Sequence, residues 1–187
     1  MANLLAPELI QPQNFDIRYG KSWKRIIYNL KTAAGRDIWT VKVHSKSLEF
    51  MSVDGILLGS ANYHMLSNDV DISIPGCKEF TMSRDKGLWS TTKSFTFQND
   101  KFTWKRMGNW KNSGLYNLVD ERENVLATVG HDDWKVHSRL ELVMPGMNQD
   151  LVLAILVTGM AELEAQRRLA GAASASSVNA GIAAVTT

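Results

Sequence analysis

The chain has 187 residues, 21 Lys and Arg against 19 Asp and Glu, 44% apolar and 21% charged residues. That length and composition describe one globular domain with or without a tail. A net charge of +2 excludes a nucleic-acid role carried by bulk charge, so such a role would need a local basic patch. The single cysteine, Cys77, excludes an intrachain disulfide and a cysteine zinc cage.

Residues 1–20 hold Pro7 and Pro12 and read as an irregular leader. Met1 to Ile10 show no basic segment followed by a long apolar one, so no secretory signal is expected. The expected location is intracellular, in the cytoplasm or at the periphery of a membrane. From about Trp23 the pattern is one of strands. Trp39, Val41 and Val43 alternate with Thr40, Lys42 and His44, the period of a half-buried strand. Leu48 and Phe50 continue it, and Asp54-Gly55 predicts a type I′ hairpin turn. Val70, Ile72 and Ile74 alternate up to Pro75-Gly76. Phe95 and Phe97 lead to a turn expected at Asn99-Asp100, and Phe102 and Trp104 follow. Leu115 to Val119, Val125 to Val129 and Arg139 to Met144 complete the set. Strands at intervals of about 8–12 residues predict an all-β sandwich or barrel.

After residue 147 the period changes. Leu151 to Val157 are apolar at every position, and the run to Ala161 is broken only by Thr158 and Gly159. It is shorter than the about 20 residues of a membrane span. A helix apolar on all faces must be enclosed on all sides. Threading it through a barrel achieves this, so a central helix is expected at 148–170. Glu162 to Arg168 should emerge at the barrel mouth, with Gly171 as a stop. Residues 171–187 are rich in Ala and Ser and read as a disordered tail.

Antiparallel strands that close on a C-terminal apolar helix resemble the tubby C-terminal-like superfamily, which includes tubby proteins, LURP-one-related proteins and phospholipid scramblases. The likeness is carried by Gly114 to Ala127 (GLYNLVDERENVLA), by Asp54 to His64 (DGILLGSANYH) with Asp69 to Ile74 (DVDISI), and by Gln149 to Met160 (QDLVLAILVTGM) with Arg167 and Arg168. It extends over about residues 20–170 and is greatest for small tubby-like proteins of fungi. The resemblance implies a closed antiparallel barrel of about twelve strands around a central hydrophobic C-terminal helix. It also implies phosphoinositide binding through a basic outer surface, as in tubby proteins. The Pro-rich leader, palmitoylated cysteines and acidic calcium segment of scramblases have no counterpart in the sequence.

The residues offer four constellations. With Trp39, Val41 and Val43 inward, Lys42, His44 and Lys46 face outward, and Lys101, Lys105 and Arg106 follow on a later strand. Such rows grip headgroup phosphates; the plainer reading is an ordinary solvated exterior. His131, Asp132, Asp133 and His137 fit a turn better than a metal site. Cys77 has no basic partner nearby in sequence, which fits a packed thiol. Trp89, Trp104, Trp110 and Trp134, with Lys105, Arg106 and Lys111, have the aromatic-basic mixture of single-strand binders, but tryptophans in a barrel also pack as core. No phosphate-binding loop or nucleophile elbow is present. The sequence thus predicts a non-enzymatic domain without cofactor or metal. Its partners are expected to be anionic lipid headgroups or, alternatively, a protein in an adaptor role, with no nucleic acid and no transmembrane span.

Overall fold

The structure is a computed structural model that describes residues 13–22, 25–32, 34–64, 67–85, 92–107, 114–131 and 137–183; at 13, 19–22, 25, 131, 137 and 170–183 only the backbone is described. Twelve strands run in chain order: β1 (Gln13–Ser22), β2 (Arg25–Thr32), β3 (Asp37–Val43), β4 (Ser47–Ser52), β5 (Leu57–Tyr63), β6 (Val70–Ser73), β7 (Phe80–Arg84), β8 (Lys93–Phe97), β9 (Asp100–Arg106), β10 (Gly114–Val119), β11 (Val125–His131) and β12 (His137–Leu142). Each pairs antiparallel with the next, and β1 pairs with β12 from Gln13↔Leu142 to Arg18↔His137. The barrel is closed, so no strand edge is left to template aggregation.

The last element, α1 (Gln149–Ala183), fills the barrel. From Val152 to Leu163 every side chain is buried, including Thr158, whose hydroxyl donates to its own helix at Ala154 O, 2.7 Å away. Around the helix, inward residues of the strands close the core: Phe15, Trp39 and Phe50 in tilted ring contact on one side, Phe95 and Phe102 on another. Among the described residues no helix is long and apolar enough to cross a membrane.

Because successive strands are antiparallel, their connections alternate between two ends. α1 begins at one end, the floor, where Asn148 caps it by accepting from Leu151 N at 2.8 Å and donates to Gln98 Oε1 at 3.4 Å. It leaves at the other end, the mouth, where Arg168 donates to His44 O and Ser45 O at 2.9 and 2.8 Å.

Several expectations need correction. Gln13–Ser22 is strand β1, not part of an irregular leader; Phe15 and Ile17 point inward and Asp16 and Arg18 outward, a strand alternation. Residues 1–12 lie outside the described set. The helix does not stop at Gly171 but continues to Ala183, through the stretch read as a disordered tail; its alanines are the best helix formers and no proline interrupts them. Residues 184–187 lie outside the described set. The turn after β8 is centred on Gln98 and Asn99, both at positive φ (51° and 75°), one residue earlier than expected. The β4–β5 connection is also not a type I′ turn. Gly55 N donates to Ser52 O and Ser52 N to Ile56 O, with Gly55 at φ 79°, a three-residue loop with a bulge. The same bonds close Thr32–Arg36 and Asp120–Asn124, so three floor turns share one design.

Gly59 is where strand and helix come closest. A Cβ there would lie 2.7 Å from Val157 Cγ2 and 3.3 Å from Ser73 O. A packed β-branched side chain cannot swing away. We predict that Gly59→Ala lowers stability by about 1–3 kcal/mol in urea titration, and by less in a Val157→Ala background. Burial of the seven large apolar helix side chains between Leu151 and Met160 contributes roughly 10–20 kcal/mol, more than a typical net stability of about 5–15 kcal/mol. A chain ended at Gly146 is therefore expected to show no cooperative melt.

Candidate functional site

The mouth of the barrel is where the interior turns polar. In β8, Lys93 shares the inward phase of Phe95 and Phe97 and is 9% exposed. Its Nζ lies 2.8 Å from Glu162 Oε2, a carboxylate that is 3% exposed. The contact lies off the hydrogen-bonding direction, so Oε2 has a charge partner but no aligned donor among the described residues. Gln166 Nε2 donates to the other oxygen at 3.3 Å. Trp104, beside Lys93 in the register, is fully buried, and its Nε1 has no hydrogen-bond partner among the described residues.

Two residues along, Glu164 is fully buried and collects three donors. Tyr28 OH donates to Oε2 at 2.7 Å, Arg167 donates to both oxygens at 2.7 Å, and Arg168 Nε donates to Oε1 at 2.8 Å. Burial on its own raises the Glu164 carboxyl. The bonds from Arg167, Arg168 and Tyr28 outweigh it and hold the group below the usual glutamate range. Arg168 also lies 4.3 Å over the Tyr63 ring, and Tyr63 OH donates to Ala161 O at 3.2 Å. Glu162 and Glu164 therefore do not emerge as expected: they remain inside, and Arg168 clamps the helix to the rim.

Beside this network lies a cleft of about 240 Å³, lined by Lys93, Arg84, Tyr116, Glu162, Tyr63 and Leu169 among others. Burial, and then the charge of Glu162, raises the Tyr116 hydroxyl above the ordinary tyrosine range.

The six sequence-predicted basic residues do not form one patch. Lys42, His44 and Lys46 lie on and after β3, and Lys101, Lys105 and Arg106 lie on β9, six strands away in a ring of twelve. Lys42 and His44 face out from one wall and Lys101 and Lys105 from the opposite one, whereas Arg106 shares the inward phase of Phe102 and Trp104 and pairs with Tyr116 near the mouth. Each row also meets acid. His44 Nε2 is 3.5 Å from Glu49, and Lys42 stands opposite Glu49 in the ladder. Lys105 Nζ donates to both oxygens of Glu123 at 2.7 and 2.6 Å. Lys101 shares a surface hollow with Asp85, Asp120, Glu121 and Glu123.

Elsewhere, His64 Nε2 and Asp71 Oδ2 are 2.6 Å apart, and Thr81 Oγ1 donates to Asp71 Oδ1 at 2.7 Å. The hydrogen bond to Asp71 raises the His64 imidazole, and that from His64 lowers the Asp71 carboxyl. The carboxylate sits in the middle of this trio, so the imidazole does not face the hydroxyl as a nucleophile's base must. Cys77 is half-buried, and burial followed by Asp150 pushes its thiol up, away from reactivity. Among the described residues no group of three His, Cys, Asp or Glu is placed to hold a metal. Asp132, Asp133, Trp89, Trp110, Trp134 and Lys111 lie outside the described residues, as do the side chains of His131 and His137.

No protein-family model matches the chain, and no curated protein matches it significantly. A protein of Arabidopsis thaliana known from its X-ray structure is similar in fold, with a TM-score of 0.51 at 14% sequence identity, over 84% of this chain and 96% of that one. The likeness is one of fold alone.

The Glu164 clamp makes a pH prediction. A carboxyl held below its unfolded value contributes stability that is present above that value, near 4.5, and is lost as pH falls through the folded value. Glu164→Gln is expected to destabilise the protein toward the lower end of about 3–5 kcal/mol at neutral pH, since its arginine partners are partly solvated. It should also flatten the loss of stability that sets in as pH falls below about 5. Urea midpoints at several pH values, for the wild type and Glu164→Gln, check both.

Proposed function

We propose that this protein is a non-enzymatic, tubby-like barrel that works as a protein-interaction adaptor. The observation that carries the reading is the tip of the β4–β5 hairpin. Val53, Ile56 and Leu57 stand 61%, 50% and 45% exposed, side by side on one turn at the floor. The turn is rigid: Ser52 accepts at its backbone from Gly55 and at its hydroxyl from Ile56 N, 3.1 Å away. Adjacent large apolar side chains held out into water favour a partner surface over solvent. The opposed basic rows and their acidic neighbours weigh against a single headgroup site. The central helix leaves no interior space for a carried ligand.

A second reading keeps the phosphoinositide role. Lys42, His44 and Lys46 do remain together on one wall, near the mouth.

Two experiments separate the readings. A photocrosslinking residue at position 56 should give a discrete protein adduct in cells, reduced about tenfold or more by Val53→Asp, whose side chain is too exposed to disturb folding. Sedimentation with liposomes containing phosphatidylinositol bisphosphate, over a salt series, should show no lipid-dependent binding. Salt-sensitive binding lost in a Lys42→Glu, Lys46→Glu double variant would replace the adaptor with the lipid reading.

A further inference from the structure

We infer that the seam between β7 and β8 takes up an extended segment of a partner protein, bearing an apolar side chain, as an added strand. The inference concerns a different face from the β4–β5 tip and does not rest on it. The ring of strands closes, but the β7–β8 ladder pairs at Ser83↔Ser94 and Arg84↔Lys93 and goes no further toward the floor. Both strands do continue there. β7 stays paired with β6 through Asp71↔Thr81 to Ile72↔Phe80, and β8 with β9 through Thr96↔Lys101 to Phe97↔Asp100. At the mouth side of the seam Asp85 N donates to Thr92 O at 3.0 Å. Main-chain groups of alternate residues point the same way, so Ser83 and Thr81 face β8, and Ser94 and Thr96 face β7. Thr81 and Thr96 thus turn their main chains toward the seam and form no ladder pair across it.

Two surface hollows lie along this stretch and share Phe80 and Thr96. One, of about 270 Å³, runs past Thr81, Ser83, Ser94 and Phe95; the other, of about 470 Å³, continues toward the floor past Phe97 and Gln98. The side-chain hydroxyls here are already engaged, Thr81 Oγ1 on Asp71 and Ser94 Oγ on Asp85. What the seam offers is therefore main chain, and the ligand that matches spaced main-chain donors and acceptors is another extended main chain. It would accept from Thr96 N and donate to Thr81 O, supplying the bond that the two strands do not make with each other. Phe80 sets the side-chain preference. It is half-buried, its ring 5.3 Å from those of Phe95 and Phe97, so an apolar residue of the segment gains contact there. The helix-filled interior lies behind these rings, and a segment in the seam displaces none of it.

Fluorescence anisotropy on the full chain tests this with a fluorescein-labelled peptide, Ser-Val-Thr-Phe-Thr-Val-Ser amide. The control is the same peptide N-methylated at its Thr-Phe-Thr centre, which keeps the side chains and loses the main-chain donors. The parent should bind at about 0.1 mM or tighter and the methylated peptide at least about tenfold more weakly. Thr96→Pro removes an N–H that no strand uses, so the urea midpoint should stay near that of the wild type while peptide affinity falls about tenfold or more. Val53→Asp, at the floor tip, should leave peptide affinity unchanged, which separates this site from the adaptor surface. Hydrogen exchange on the wild type needs no variant: saturating peptide should slow the Thr96 amide about tenfold or more. The inference is overturned by no saturable binding up to about 1 mM, by equal affinity for the methylated peptide, or by an unchanged Thr96 exchange rate. A dimer in analytical ultracentrifugation that Thr96→Pro dissociates would also overturn it, by making a second copy of this chain the occupant.

Discussion

From Val152 to Leu163, α1 has no face that water could solvate, and the rest of the protein follows from enclosing it. A sheet with one apolar face covers one side of a helix. A closed barrel covers all sides, and it also removes the two edges that an open twelve-stranded sheet would expose. The strands therefore alternate strictly over much of the ring: inward residues touch the helix and outward ones carry the charge. The cost of this arrangement is that the interior must fit around a cylinder. Gly59 sits where strand and helix approach too closely for a side chain, against Val157, and at Gly159 a Cβ would crowd Leu140 and Trp104 at 3.0 and 3.3 Å.

Much of this was legible. The alternation of Trp39, Val41 and Val43 gave β3, and the apolar run at Leu151 gave the buried helix, because both follow from local periodicity. The strand β1 carries the same signal in Phe15 and Ile17, but it lies just after Pro12, and a proline is a mark of irregular structure. Lys93 was readable in principle: it lies two residues before Phe95, in the inward phase, and an inward lysine demands an acid such as Glu162. That demand becomes visible only once the mouth is known to be closed enough to exclude water. Whether the basic rows formed one patch depended on closure. Within a linear strand list β3 and β9 are six apart; only in a ring of twelve does six mean opposite.

Function is harder to read here because the fold uses its interior for itself. Barrels that carry ligands leave the centre open; this one spends it on Leu153, Ile155, Leu156 and their neighbours. What remains for recognition is the outer wall and the two ends. The wall is largely self-compensating, with His44 near Glu49, Lys105 on Glu123 and Lys31 on Asp37. The ends differ in kind. The floor presents an apolar turn held rigid by its own hydrogen bonds, whereas the mouth presents buried charge beside a small cleft.

The charges at the mouth also solve a problem that the apolar helix creates. Hydrophobic contact is non-directional, so a smooth apolar rod inside an apolar tube has little to fix its depth or rotation. A shift of one helical turn, about 5.4 Å, would exchange one set of aliphatic contacts for a similar one. It would not be neutral for Glu164. Pushed inward by a turn, its carboxylate would leave Tyr28 and would drag the charged groups of Arg167 and Arg168, its partners on the same helix, toward the aromatic and aliphatic core. Pulled outward, it would break the Arg168 bonds to His44 O and Ser45 O and free Asn148 from Gln98 at the floor. Buried ion pairs are weak sources of net stability, and their best-attested use is to select one register among alternatives. Glu164 and Glu162 hold their acid groups at the depth where Tyr28 and Lys93 of the strands meet them, so the polar end of the helix sets where the apolar part rests.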